Sequence, residues 1–304
     1  MTKTYTYMKV DQLKEMPVTS ENEQFAWRYA YSRAQETRKM REKGQDYLTF
    51  ARNQRSFLFS LCDGVSLSYY GDIAARILGD ALLDWLSSEI AELEDDSLRL
   101  QKHLDHHLRD LTKPASQLVA KHPIPTNVTG MLRDVLEAKR QRGSETTFVC
   151  GRIDLPSTRY PSGRIIVAWQ GDSRLRLFDA GQEVSSCLPG VFHTSERWST
   201  LHGPVGGEPH LFVGTLRDNQ RITRLIAYTD GLAELDEWGR LPSDGQLQSL
   251  INQAGEKPAS DDIALLEVSW NPEGFVNRAL DREERLQAQS GIRGKINSIV
   301  RRLV

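Results

Sequence analysis

The chain reads as an α+β domain in layers, with helices segregated from antiparallel strands rather than alternating with them. Three observations predict this. A strand pair spans Tyr47–Leu61, broken only by Arg52-Asn53-Gln54-Arg55. Helical spacing then dominates residues 71–140, and residues 146–270 return to short apolar runs separated by turns. Alternating βαβ units would instead spread the helices between the strands.

Taken in order, residues 1–24 are polar with little apolar pattern and predict an extension. Phe25, Trp27, Tyr29 and Tyr31 recur with a period of two, as in a strand. Arg33–Lys43 reads as a charged loop. Tyr47–Ala51 and Phe57–Leu61 form a hairpin about the polar turn. Over Gly71–Ile90 the residues Ile73, Ile77, Leu78, Ala81, Leu82 and Trp85 fall on one helical stripe. Leu98–Leu111 predicts a second helix, and Pro114, Pro123 and Pro125 break the stretch after it. Val128–Arg140 predicts a third, with Thr126 or Asn127 as cap. Thr146–Ile153, Arg164–Gln170 and Leu175–Phe178 read as consecutive antiparallel strands. Pro189–Pro209, with Gly203, Gly206 and Gly207, reads as a mobile loop near the site. Leu211–Thr215 and Leu225–Tyr228 are strands, Gln246–Ala254 a short helix and Ile263–Trp270 a closing strand. Residues 271–304 predict a charged helical tail, of mixed sign, that caps the domain.

Composition narrows the function. With 39% hydrophobic and 26% charged residues, the 304-residue chain has the balance of a globular protein. A net charge of −2 gives no electrostatic reason to expect nucleic acid or a membrane surface as partner. No apolar run approaches the ~20 residues that span a bilayer, and Met1-Thr2-Lys3-Thr4-Tyr5 opens no signal-peptide core. Cys62, Cys150 and Cys187 have neither pairable nor metal-binding spacing, which predicts buried thiols in a reduced, cytoplasmic protein.

The chemistry sits at strand ends. Phe57-Leu58-Phe59-Ser60-Leu61-Cys62 runs into Asp63-Gly64, and Leu225-Ile226-Ala227-Tyr228-Thr229 into Asp230-Gly231. Ile165–Gln170 runs into Gly171-Asp172. Asp46 precedes Tyr47–Phe50, and Asp261-Asp262 precede Ile263–Leu266. A carboxylate where a buried strand meets a loop is costly unless paired. Five such ends brought together make a cluster of hard oxygen donors, suited to Mg²⁺ or Mn²⁺.

The segments Arg41…Gln45-Asp46, Cys62-Asp63-Gly64-Val65, Ser144-Glu145-Thr146-Thr147, Gly171-Asp172-Ser173-Arg174, Tyr228-Thr229-Asp230-Gly231 and Ser260-Asp261-Asp262-Ile263 stand in one order over residues 25–270. In that order they resemble the metal-dependent PP2C-type serine/threonine protein phosphatases, the bacterial members in particular. The resemblance implies an α/β/β/α sandwich, two stacked antiparallel sheets flanked by helices, with metals at one end. It implies a phosphorylated protein as substrate, and a serine/threonine kinase as counterpart. Residue by residue, Asp63 resembles the carboxylate that bridges two Mn²⁺ or Mg²⁺ ions, and Gly64 the carbonyl ligand of one. Asp230 and Asp261 resemble the other ligands of the second ion. Asp46 resembles the acid that holds metal-bound water, and Asp172, with Asp230, the ligand of a third, weaker ion. Arg41 resembles the arginine that grips the substrate phosphate, with Arg38 and Lys39 as alternatives in the same loop.

The chain departs from the family pattern after Asp63-Gly64. Val65-Ser66-Leu67-Ser68-Tyr69-Tyr70-Gly71 supplies no histidine, and so no evident protein acid for the leaving group. Gln45 stands where an acid is usual, and Ser144-Glu145-Thr146-Thr147 where Gly-Ser-Thr is usual. Two other readings share the scaffold: a catalytically silent module that binds a phosphoprotein or kinase, and a hydrolase of small phosphoesters. His103 and His107, one turn apart on a predicted helix, have the spacing of a transition-metal pair, but with no further ligand spaced to complete it they read as a solvated face.

Overall fold

Period-two alternation sorts the strands into two sheets that share one core. The computed structural model describes residues 4–190, 192–217 and 221–271. The first sheet contains, in spatial order, β1 (Thr6–Lys9), β4 (Tyr47–Arg52), β5 (Ser56–Gly64) and β6 (Glu145–Asp154). Beyond β6 it forks. β7 (Arg164–Gln170) pairs along one stretch of β6 and β12 (His210–Gly214) pairs with β7; β10 (Arg197–Ser199) pairs with the start of β6 and β11 (Gly203–Val205) with β10. The second sheet runs β2 (Met16–Asn22), β3 (Phe25–Ser32), β14 (Ile263–Trp270), β13 (Arg224–Tyr228), β8 (Arg174–Asp179) and β9 (Gln182–Glu183). The pairs are antiparallel.

Alternate residues of the second sheet face opposite layers. Trp27, Tyr29, Leu225, Ala227, Ala264, Leu266 and Val268 join the core shared with the first sheet. Ala30, Ile226, Tyr228, Ile263 and Leu265 point the other way, onto Leu247 and Ile251 of helix α7 (Asp244–Gly255). Between the sheets Phe57 lies 5.5 Å from Phe25 and 5.9 Å from Trp27, ring centre to ring centre. The outer face of the first sheet packs on α2 (Gly71–Ser87), whose Leu78 and Leu82 are buried. This is the α/β/β/α sandwich. β5 is buried on both faces, which explains why its apolar residues do not alternate with exposed polar ones.

The other helices are α1 (Gln35–Met40), α3 (Glu89–Leu93), α4 (Ser97–Asp110), α5 (Thr112–Lys121) and α6 (Gly130–Arg142). Several expectations are corrected. Within residues 4–24, β1 and β2 are edge strands, one on each sheet, and their largely exposed faces leave no apolar signature. The charged loop Arg33–Lys43 holds the short helix α1. Pro114 does not break the chain; it sits in the first turn of α5, where a missing N–H costs no helical bond. The N-cap of α6 is Thr129, not Thr126 or Asn127. Pro189–Pro209 includes β10 and β11. The predicted tail lies outside the described residues from 272 onward. No helix among the described residues is long and apolar enough to cross a membrane.

Candidate metal centre

Strand register brings the acids together. Tyr47 pairs with Cys62, so one step further along Asp46 stands opposite Asp63. Arg174 pairs with Tyr228, so two steps further Asp172 stands opposite Asp230. The first pair belongs to one sheet and the second to the other, and they meet at the same end of the sandwich. One carboxylate oxygen each from Asp63, Asp172 and Asp230 lie within 4.8 Å of one another. Asp46 and Asp261 lie close enough to act electrostatically on Asp63.

The backbone at this end admits no side chain at Gly64. A Cβ there would stand 2.6 Å from the Gly71 carbonyl carbon and 2.7 Å from the Gln45 oxygen. Gly171 turns the chain from β7 to Asp172 with φ of 116°, a conformation that L side chains rarely adopt.

Neighbouring groups hold the side chains of Asp46 and Asp261 and the backbone of Asp63 and Asp172. Asp46 is buried, and its Oδ2 accepts the Thr229 hydroxyl at 2.7 Å, while Ala264 N–H donates to the same hydroxyl oxygen at 2.9 Å. The Asp63 carbonyl accepts the Thr146 hydroxyl at 2.6 Å. Asp261 Oδ1 accepts Asp262 N–H at 2.8 Å. Asp172 offers its carbonyl to Arg174.

Burial, then mutual repulsion, decides the protonation of the cluster. Burial pushes the Asp63 carboxyl well above the ordinary range, and Asp46, Asp230, Asp261 and Asp172 push it further. Asp46 is raised by burial and by Asp262, eased by the Thr229 hydroxyl. Asp230 is raised by burial, Asp261 and Asp172. Such a group of acids is stabilised by protons or by a multivalent cation. Its donors are carboxylate oxygens, with no thiolate or imidazole in the group, so it fits a hard divalent ion and not a soft one.

Arg41 is exposed at the C-terminus of α1, with a left-handed φ of 57°. Its guanidinium makes no hydrogen bond or ion pair among the described residues. The alternatives in the same loop are engaged elsewhere: Arg38 Nη2 donates to the Gly255 carbonyl at 2.5 Å and Lys39 to Gln35 Oε1 at 2.8 Å. The histidine pair on α4 does not converge on a ligand site. His103 is exposed, and His107 Nε2 lies 3.2 Å from the Ala81 carbonyl. Cys62 and Cys150 are buried and Cys187 is half-buried; all three are free thiols.

Sequence reasoning missed Thr229 and Gln12. The first holds Asp46; the second, from the predicted extension, donates Nε2 to the Gly44 and Asp46 carbonyls at 3.1 Å each. Thr229 had a faint signal, a hydroxyl beside the acid at a strand end. Gln12 had none, since its partners are more than thirty residues away.

The architecture is that of the PP2C-type phosphatases, and it carries an acidic cluster at one end of its sandwich. Among solved structures, the chain is similar to the serine/threonine phosphatase Stp1 of Staphylococcus aureus, with 16% identity, a TM-score of 0.53, and coverage of 85% of this chain and 98% of that one. It is similar to a serine/threonine phosphatase 2C of Toxoplasma gondii, with 15% identity, a TM-score of 0.51, and coverage of 88% and 99%. No protein-family model and no curated protein sequence matches the chain.

Proposed function

We propose that this protein is a metal-dependent phosphoprotein phosphatase that hydrolyses phosphoserine and phosphothreonine. The observation that carries the reading is the meeting of Asp63, Asp172 and Asp230 at one end of a PP2C-type sandwich. In this reading Asp63, the Gly64 carbonyl, Asp230 and Asp261 hold two Mn²⁺ or Mg²⁺ ions, and Asp172 with Asp230 a third. When bound, such ions lower the pKa of water and offset charge on a phosphoryl group.

The chain's own residues supply the rest. Asp46, buried and bonded by the Thr229 hydroxyl, would accept a hydrogen bond from water at the centre. Arg41 presents a guanidinium unengaged among the described residues, whose fork would match two phosphate oxygens. A phosphorylated side chain on a protein would enter from solvent at the exposed carboxylates of Asp230 and Asp261.

The test is turnover of phosphoserine and phosphothreonine peptides, and of p-nitrophenyl phosphate, with Mn²⁺ and after EDTA. The expected result is peptide hydrolysis that needs the metal. Full activity in EDTA would overturn the metal role. Tight phosphopeptide binding without turnover would establish the silent binding module, and turnover of p-nitrophenyl phosphate alone the small-phosphoester hydrolase.

A further inference from the structure

Helix α1 has no N-cap of its own: Ala34 stands at that position, and its side chain offers no acceptor. The acceptors come from the far end of the sequence, in the segment that leads into β14. The Ser260 hydroxyl takes Gln35 N–H at 2.8 Å, and Asp262 Oδ1 takes Ala34 N–H at 2.6 Å. The second oxygen of Asp262 does not serve the helix. It takes the N–H of Gln45 at 2.5 Å, at the opposite end of the loop. One carboxylate, 3% exposed, therefore closes the loop from Ala34 to Gln45 on itself.

That loop carries Arg41 and leads directly into Asp46. It is tied down at further points, by Arg38 on Gly255, by Arg33 on the Glu42 carbonyl, and by Gly44 N–H on the Gln12 carbonyl. Arg41 is left with its guanidinium unengaged among the described residues. Asp261, the neighbour of Asp262, belongs to the acidic cluster.

We propose that Asp262 is a positioning residue for substrate phosphate: by bonding both ends of the loop it sets Arg41 at a fixed distance from Asp46 and Asp261. The proposal rests on the phosphatase reading and deepens it. A helix cap alone needs one oxygen, as Ser260 demonstrates; the second oxygen of Asp262 ties the far end of the loop to the same side chain. Each carboxylate oxygen accepts one of the two bonds. An amide at this position keeps one acceptor and turns an NH₂ group toward the other N–H.

The experiment compares wild type, D262N, S260A, R41A and the D262N/R41A double variant on one phosphoserine peptide with Mn²⁺. Calorimetry follows Mn²⁺ binding, and hydrogen exchange follows the Ala34 and Gln45 amides. D262N is expected to raise KM and to lower kcat/KM about ten- to a hundredfold, since a small misplacement of a binding group has effects of this order. Mn²⁺ affinity should stay near wild type, and both amides should exchange faster. The double variant should be no worse than R41A alone, because Asp262 acts through Arg41. Independent, multiplying losses in the double variant would overturn the proposal, as would wild-type KM in D262N. Should D262N not fold, S260A carries the same cycle at the Ala34 end, with a smaller rise in KM that vanishes in the R41A background. An inactive wild type would remove the phosphatase reading by itself, and unchanged protection of both amides in D262N would then overturn the loop closure separately.

Discussion

At the scale of single residues, the site gathers mutually repelling acids whose repulsion a bound cation would relieve. Asp63 carries the clearest consequence, because four other acids act on it in addition to burial. Asp63→Asn keeps the shape and removes one charge. It should abolish phosphopeptide turnover and Mn²⁺ binding, yet the metal-free variant should melt no lower than metal-free wild type. Loss of turnover with a much lower melting temperature would point instead to a structural role. Arg41 makes the complementary case. A bidentate contact with phosphate is worth about 1.5–3 kcal/mol, so Arg41→Ala should cost roughly ten- to a hundredfold in kcat/KM. Mn²⁺ affinity should not change, and Arg41→Lys should recover only part of the loss, since an ammonium cannot form the fork. Steady-state kinetics beside calorimetry would check this; equal rates for Arg41→Ala and wild type would remove the arginine from the site.

At the scale of elements, legibility in the sequence tracked locality. β14 occupies Ile263–Trp270 as its apolar run predicts, and the onset of α2 at Gly71 agrees with its stripe. The five strand-end acids were visible because an acid beside a buried strand is a signal within a few residues. Edge strands carry no such signal: β2 is largely exposed and owes its conformation to ladder bonds with β3. Long-range partners are equally silent, so nothing near Asp262 announces that it holds Ala34 and Gln45, and nothing near Gln12 announces Asp46. The N-terminal segment gives a prediction. A chain beginning at Gln24 loses both edge strands and the buried Gln12 amide, leaving two carbonyls without their donor. An unsatisfied buried group costs about 1–3 kcal/mol, and the two sheets lose cover besides. This chain should unfold at distinctly lower temperature and turn over poorly; a melting curve superimposable on that of the full chain would show the segment to be dispensable.

At the scale of the whole molecule, stability, pH and metal are linked through the acidic end of the sandwich. Asp46, Asp63 and Asp230 have folded-state pKa values raised above the ordinary carboxylate value of 3.8. For a raised acid the folded state binds more protons than the unfolded chain between the two values. Stability of the metal-free protein from this source therefore increases as pH falls through these raised values toward 3.8. His107 acts in the opposite direction. Burial lowers its pKa below 6.5, so its neutral form favours folding and its contribution is lost as pH falls below that value. A melting curve of the metal-free protein alone mixes these effects with those of His122, likewise lowered by burial, and Asp72, raised by burial to about 6. The difference between metal-loaded and metal-free curves separates them, because His107 lies on α4, outside the cluster, and contributes equally to both. A bound cation stabilises by an amount that grows with saturation, about 2.7 kcal/mol at a hundred times its dissociation constant. Protons compete for the same oxygens. The metal-induced rise in melting temperature should accordingly be largest near neutral pH and shrink steadily on acidification, with Asp63→Asn showing little rise at any pH. Calorimetric melting with and without Mn²⁺, from neutral pH down into the acidic range, measures this directly. A metal-induced rise independent of pH would mean that the ion binds elsewhere than among these carboxylates.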